Sequence, residues 1–290
     1  MKIHILISIA FLFVNLLGCQ QEQQETEPVI VTSISVYQNF IQEIVGETFQ
    51  VHSLVEGMEN PHTLDLSGRK MELVQNAGLL VFNGMGLESW ANQLTSGQQE
   101  VKVVMVADSL RNNPIIRHGD NPHIWMDPQI AQDMIHVLLT EVQQVIPDSA
   151  DVFQQNAEMY IENLNRLYRD INTKLDPVKG ARVIAQTPGL EYFFSAFGIE
   201  QAGVIIEHAG GQPSAQHMTN LSNMLNSGDI IGIVHLPQFS ANLPQTLSDE
   251  NDVPVISMSA LINGLEYVGT YLDLMWYNAD QLESLVMTGV

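Results

Sequence analysis

The hydrophobic and polar positions change period repeatedly along the chain, and each change marks an element. Val29 to Val36 (Val-Ile-Val-Thr-Ser-Ile-Ser-Val) is a β-branched run of strand length and reads as a buried strand. Tyr37 to Val45 carries helical spacing, Phe49 to Val55 is a second strand, and Leu64 to Asn76 is a second helix. A third strand, Leu79 to Phe82, runs into the turn Asn83-Gly84-Met85-Gly86, and Val101 to Ala107 is a fourth. Strands alternating with helices at this spacing predict a parallel sheet with helical crossovers.

The middle of the chain is helical. Pro128 to Val145 reads as one helix, and Pro147-Asp148-Ser149 then supplies a stop and a fresh N-cap. Phe153, Ala157, Tyr160, Ile161, Leu164, Leu167, Tyr168, Ile171 and Leu175 mark one face of the next helix. Gln154, Glu158, Glu162, Asn165 and Arg169 lie on its other faces. Asp176-Pro177 ends it, which makes it roughly 40 Å long at 1.5 Å per residue. Beyond it the alternation resumes, with strands at Ala181 to Gln186, Gln201 to Glu207, Ile230 to His235 and Val253 to Ser257, and a helix from Tyr271 to Val286. The predicted fold class is α/β: a parallel-sheet lobe over residues 29–147, a rigid linking helix over 148–177, and a second parallel-sheet lobe over 178–290.

The residues before 29 follow none of these periods. Met1-Lys2 is a minimal positive start, and Ile3 to Leu17 is an apolar stretch too short for a comfortable membrane span. Leu16-Leu17-Gly18-Cys19 looks like a bacterial lipobox, so residues 1–18 read as a lipoprotein signal peptide and Cys19 as the lipidated residue. Gln20 to Glu27 is polar and unpatterned, and residues 19–28 read as a flexible tether. Cys19 is the only cysteine among 290 residues, which excludes internal disulfides and cysteine-based zinc sites. The formal net charge of -22 argues against nucleic acid or an anionic membrane surface as a partner, and it concentrates cations around the protein.

One phrase occurs twice. Asn60-Pro61-His62 opens Asn-Pro-His-Thr-Leu-Asp-Leu-Ser, and Asn121-Pro122-His123 opens Asn-Pro-His-Ile-Trp-Met-Asp-Pro. Each proline fixes its own φ and pushes the preceding Asn out of helical space, so the histidine is delivered from an extended loop. An imidazole on a stiff loop suits a metal, since one ring nitrogen coordinates while the other is anchored by a neighbouring acceptor. In a parallel α/β fold such loops fall beyond the carboxyl ends of strands, where ligands bind.

These phrases, with Phe-Asn-Gly-Met-Gly-Leu-Glu-Ser-Trp (82–90) and Leu-Pro-Gln-Phe-Ser (236–240), resemble the zinc/manganese solute-binding lipoproteins of ABC transporters, the TroA-like family. The resemblance covers essentially the whole mature chain. It implies two α/β lobes joined by a helix, with Zn²⁺ or Mn²⁺ held in the cleft between them and passed to an ABC permease of the cytoplasmic membrane. It also implies a periplasmic or cell-surface protein held to the lipid bilayer through acylated Cys19. His62 and His123 match the family's two N-lobe ligands. The third usually lies five residues before a Tyr-Phe pair, which here is Thr187, and the fourth is usually an aspartate where this chain has Ser259. Hydroxyls are poor ligands for such metals beside imidazole or carboxylate. Glu207, His208 and His235, at the ends of two predicted strands, are the substitutes of suitable chemistry. His118, in the loop Arg111 to Asp120, is a candidate for ferrying metal, and His52, His136 and His217 read as surface residues.

Two further classes of function stay open on these residues. A metallohydrolase would use His62, His123 and Asp127, although no His-Glu-x-x-His helix occurs. A scaffold or adhesion lipoprotein, or a binder of a non-metal ligand, would have kept the fold and lost the ion. The lipobox carries its own test. Cys19→Ala should leave the protein unprocessed or released, because two or more acyl chains are what stable anchoring requires; unchanged lipid labelling of that variant would exclude the assignment.

Overall fold

Strands and helices alternate throughout the computed structural model, which describes residues 27–287 apart from 92, 93, 95–100, 117, 118, 209 and 263. The leader, Cys19, most of the tether and His118 lie outside the described residues. The first parallel sheet contains β1 (Val29–Thr32), β2 (Val51–Ser53), β3 (Ala77–Phe82) and β4 (Lys102–Met105), in the order β2-β1-β3-β4. The second contains β5 (Arg182–Ala185), β6 (Glu200–Val204), β7 (Ile230–His235) and β8 (Val255–Ser257), in the order β6-β5-β7-β8. The two lobes thus repeat one topology. In each, the connections that follow the two central strands run to opposite sides, which opens a crevice at their carboxyl ends.

The N-terminal run was expected to be a strand as far as Val36, but it turns at Ser33–Ile34 and continues as helix α1 (Ser35–Val45). Strand end and first helical turn are both fully buried, so their apolar residues form one unbroken run with no change of period to read. Helix α2 (Gly68–Gln75) begins four residues later than its apolar pattern, because Ser67 caps it by accepting from the Lys70 N–H at 3.5 Å. Helix α3 (Val106–Ser109) is a single turn that takes the end of the predicted fourth strand.

Helix α4 (Pro128–Val145) has the predicted bounds. Asp127 Oδ1 accepts from the Gln129 N–H at 2.8 Å and Pro128 fills the first turn, where a missing N–H costs nothing. Helix α5 (Ala150–Lys174) buries Phe153, Ala157, Tyr160, Leu164, Leu167 and Ile171, a stripe at alternating spacings of three and four. Its 25 residues span about 37 Å. Helices α6 (Glu191–Ala196), α7 (Ala215–Leu225), α8 (Asn242–Asn251) and α9 (Tyr271–Met287) complete the second lobe. Among the described residues no helix is long and apolar enough to cross a membrane.

The lobes are joined by more than α5. Trp125 Nε1 donates to the Ala260 carbonyl at 2.8 Å, and the Tyr271 hydroxyl donates to the Trp125 carbonyl at 2.7 Å. Ser35 Oγ donates to the Ile262 carbonyl at 2.9 Å, and the Tyr271 N–H donates to Asn39 Oδ1 at 2.8 Å. The Tyr271 ring meets Phe40 edge-on at 4.8 Å. One apolar core accordingly runs from Ile30 and Phe40 through Trp125 to Phe193 and Tyr271, and a smaller cluster of Ile184, Ile205, Leu221 and Ile233 lies between the second sheet and α7.

The segment after β8 is held by one side chain. Asn278 Oδ1 accepts from the Ser259 N–H at 2.9 Å and its Nδ2 donates to the Ser259 carbonyl at 2.8 Å, with both residues fully buried. Asn278→Ala leaves a buried donor and a buried acceptor unpaired, which should cost about 2–4 kcal/mol in urea unfolding; a loss below about 0.5 kcal/mol would show the segment to be held otherwise.

Candidate functional site

Both Asn-Pro-His phrases fold in the same way. Asn60 Oδ1 accepts from the His62 N–H at 3.0 Å, and Asn121 Oδ1 accepts from the His123 N–H at 3.1 Å. Each Asn side chain thus closes a local turn over its proline, and the histidine emerges from it in a set direction. The two rings meet with centroids 5.4 Å apart and planes inclined by 56°.

The segment 82–90 braces both loops. Asn83 Nδ2 donates to the Pro122 carbonyl at 3.0 Å, and Trp90 Nε1 donates to the Pro61 carbonyl at 2.7 Å. Asn83 is itself oriented by the Tyr37 hydroxyl, which donates to its Oδ1 at 2.6 Å. The Glu88 carboxylate accepts from the N–H groups of Asn83 and Gly84 at 2.8 and 3.0 Å, and burial pushes this carboxyl above its ordinary range. Gly84 has φ +81°, and a Cβ there would lie 2.4 Å from Asp108 Oδ2, so any other residue strains the turn and displaces Asp108.

A second relay sets the His123 ring. The Glu191 carboxylate accepts from Asn121 Nδ2 at 2.8 Å, and Asn121 Oδ1 lies 2.8 Å from His123 Nδ1. An amide oxygen can only accept, so Nδ1 carries the proton and the Nε2 lone pair is left for a ligand. Nε2 faces Gly189, where an added Cβ would lie 3.6 Å from it. Burial, and then the neighbouring His62, drives the His123 pKa down to about 3; burial also lowers that of His62. Both imidazoles are therefore neutral near pH 7, the form that binds metal.

Across the cleft, each strand end of the second lobe contributes lining: Thr187 after β5, Glu207 and His208 after β6, Leu236 after β7, and Ala260 and Leu261 after β8. With Trp125, Ile206 and Phe239 they enclose a cavity of about 400 Å³ that includes His62 and His123. Thr187 Oγ1 accepts from the Gly189 N–H at 3.4 Å. Ser259 does not line the cavity; its hydroxyl donates to the Leu261 carbonyl at 2.9 Å and accepts from the Leu261 N–H at 3.1 Å.

The substitutes expected in this lobe separate into two kinds. Strand β6 ends at Val204, three residues before its predicted end, so Glu207 and His208 stand exposed on the loop beyond it, on the cavity rim. His235 ends β7 as predicted but does not line the cavity; its Nε2–H donates to the Phe239 carbonyl at 3.1 Å and shapes the 235–239 loop. His217 is not a solvated surface residue, since its Nε2–H donates to the Val204 carbonyl at 2.7 Å. Asp127, wanted by the hydrolase reading, caps α4 and lies outside the lining. Glu191 was not anticipated. It sits next to Tyr192, the residue from which the family spacing is counted, and the count passes over it to Thr187. Among the described residues no three His, Asp, Glu or Cys side chains stand close enough to hold an ion.

Two parallel α/β lobes joined by a long helix, with the candidate site in the cleft between them, define the class of helix-linked solute-binding proteins. The family described as zinc-uptake complex component A, periplasmic (ZnuA), matches residues 30–285, and the chain belongs to it. It is 26% identical over 282 residues to the manganese-binding lipoprotein MntA of Halalkalibacterium halodurans, covering 92% of this chain and 93% of that protein. The structure of the solute-binding protein FpvC of Pseudomonas aeruginosa in complex with Mn²⁺ superposes with a TM-score of 0.79 at 20% identity, over 91% of this chain and 100% of that one. The Cd-bound periplasmic metal-binding protein of Candidatus Liberibacter asiaticus gives 0.77 at 21% identity, over 89% and 99%.

The lowered histidine pKa values predict a pH dependence for the metal-free fold. Unfolded His123 takes a proton below about 6.5, whereas in the folded protein it stays neutral down to about 3. Between those values the unfolded state binds more protons, so stability is fully present above pH 6.5 and is lost as the pH falls through the window, by at most about 1.4 kcal/mol per unit from this group. Urea midpoints of the wild type and His123→Gln from pH 7 to 4 should show a shallower decline in the variant; parallel curves would contradict the assigned burial.

Proposed function

We propose that the protein is the extracytoplasmic binding component of an ABC importer, a lipoprotein anchored through Cys19. It captures a divalent transition metal in the interlobe cleft and presents the loaded, closed form to a membrane permease. The observation that carries this reading is the convergence of His62 and His123, two neutral imidazoles on twin Asn-Pro-His loops, at one buried cleft. Membership of the ZnuA family and likeness to a manganese-binding lipoprotein support it.

In this reading residues 29–147 form the lobe that holds the ion, 148–177 the linking helix, and 178–290 the lobe that covers it. His62 and His123 are the fixed donors. Glu207 and His208, on the rim, are the mobile donors of the covering lobe, and they approach the ion as the cleft closes. His235 has its Nε2–H committed to Phe239 and serves the loop rather than the ion. Nitrogen ligation favours Zn²⁺, while added carboxylate from Glu207 makes the site acceptable to Mn²⁺. The role is capture and handover, not turnover.

His62→Ala and His123→Ala should each weaken Zn²⁺ binding at least tenfold, upwards of about 1.4 kcal/mol, because water fills the lost coordination position less well. Equilibrium dialysis with elemental analysis measures this. Wild-type affinity in either variant would reduce that histidine to a loop residue.

A further inference from the structure

We infer that the cleft takes its divalent ion as a complex with a small chelator bearing an apolar flank. The inference rests on the cleft being a metal site and concerns what surrounds the ion there.

The cavity is of a size for an organic ligand. At about 400 Å³ it falls within the usual 300–1,000 Å³ of small-molecule pockets, whereas a water occupies about 30 Å³ of liquid. The two imidazoles are clustered on one side of it, while of the second lobe's donors in the lining Glu191 is bonded to Asn121 and Glu207 and His208 stand exposed at the rim. His62 and His123 both come from the first lobe, 5.4 Å apart between ring centroids. The wall that His123 Nε2 faces is made of Gly189, the Thr187 hydroxyl and Leu236: a Cβ on Gly189 would lie 3.6, 3.4 and 3.3 Å from His123 Nε2, Thr187 Oγ1 and Leu236 Cδ2. On the Gly189 side a divalent ion on the two imidazoles therefore meets hydrocarbon and a hydroxyl already accepting from a backbone N–H.

Much of the remaining wall is apolar as well. Trp125, Leu236, Phe239 and Leu261 line the cavity, and a hydrated ion set against them sheds water without gaining donors, which costs free energy. A chelator reverses both terms. Its own nitrogen or oxygen donors fill the positions that the imidazoles leave, and its flank buries apolar surface against the wall. The ligand class is thus a bidentate or tridentate nitrogen/oxygen chelator with an aromatic or aliphatic flank. Glu207 and His208 stand at the rim over it.

The test is equilibrium dialysis of the full mature chain against three probes: Zn²⁺ alone, the 1:1 zinc complex of L-histidine, and the 1:1 zinc complex of 2,2′-bipyridine. Zinc is measured by elemental analysis and each chelator by chromatography on both sides of the membrane. The expected result is retention of protein, zinc and at least one chelator in 1:1:1 ratio, with that complex bound at least tenfold more tightly than Zn²⁺ alone. His62→Ala and His123→Ala should abolish the retention. If Zn²⁺ alone binds as tightly as either complex, loses affinity in His62→Ala, and leaves both chelators evenly distributed, the inference is overturned and the metal reading stands. If a chelator is retained without zinc and regardless of both histidines, the metal reading falls with it. If neither complex is retained, the inference also fails.

Discussion

The site depends on a requirement that has nothing to do with metal: buried carbonyl groups must find donors. A loop that carries a histidine into a protein interior brings its own peptide groups along. Here the Pro61 and Pro122 carbonyls are the exposed ends of that problem, and Trp90 and Asn83 answer them. Asn83 can do so only because Tyr37 and Glu88 hold its side chain and its backbone. The segment 82–90 is therefore a scaffold, and its residue types are dictated by hydrogen bonding within the protein. A chain of satisfied polar groups of this kind has few alternative arrangements, which is how two long loops from different parts of the sequence come to place their rings side by side.

The same economy operates between the lobes. The bonds from Trp125 to Ala260, from Tyr271 to Trp125 and from Ser35 to Ile262 lie at the base of the cleft, where both lobes are buried. At its side, Asn121 reaches across to the Pro188 carbonyl and to Glu191. Glu191 thereby couples the second lobe to the protonation pattern of a histidine on the first, through a single amide. The rim loop carrying Glu207 and His208 is exposed by comparison. Hydrogen bonding is densest where the imidazoles are set, and exposure rises toward the mouth.

What could be read from the sequence was whatever is signalled locally. The bounds of α4 follow from Asp127-Pro128 at one end and Pro147 beyond the other, and β7 follows from a short apolar run flanked by turn residues. The long stripe of α5 is legible because it is amphipathic over seven turns. Errors appear where burial erases the pattern, as at the junction of β1 and α1, or where pairing stops before the apolar run does, as in β6. The twin histidine loops were legible as a repeated phrase. The functions of Glu191 and His235 were not, since the first acts through Asn121 and the second binds a carbonyl four residues ahead in a loop. Both depend on tertiary placement that no periodicity encodes.

The packing around Ser259 has a consequence for which substitutions this corner accepts. Ser259 is fully buried, its backbone groups are both claimed by Asn278, and its hydroxyl donates to the Leu261 carbonyl while accepting from the Leu261 N–H and from Gln238 Nε2. A carboxylate introduced there would enter a pocket already furnished for a neutral group, lose the bond to the Leu261 carbonyl, and repel that oxygen instead. Such a change is disfavoured until a second one, at Asn278 or in the 259–261 turn, has prepared the ground. The two positions therefore constrain each other: with Ser259 in place a change at Asn278 leaves buried backbone groups unpaired, and with Asn278 in place a charge at 259 meets an amide rather than a cation, so this corner tolerates paired substitutions better than single ones.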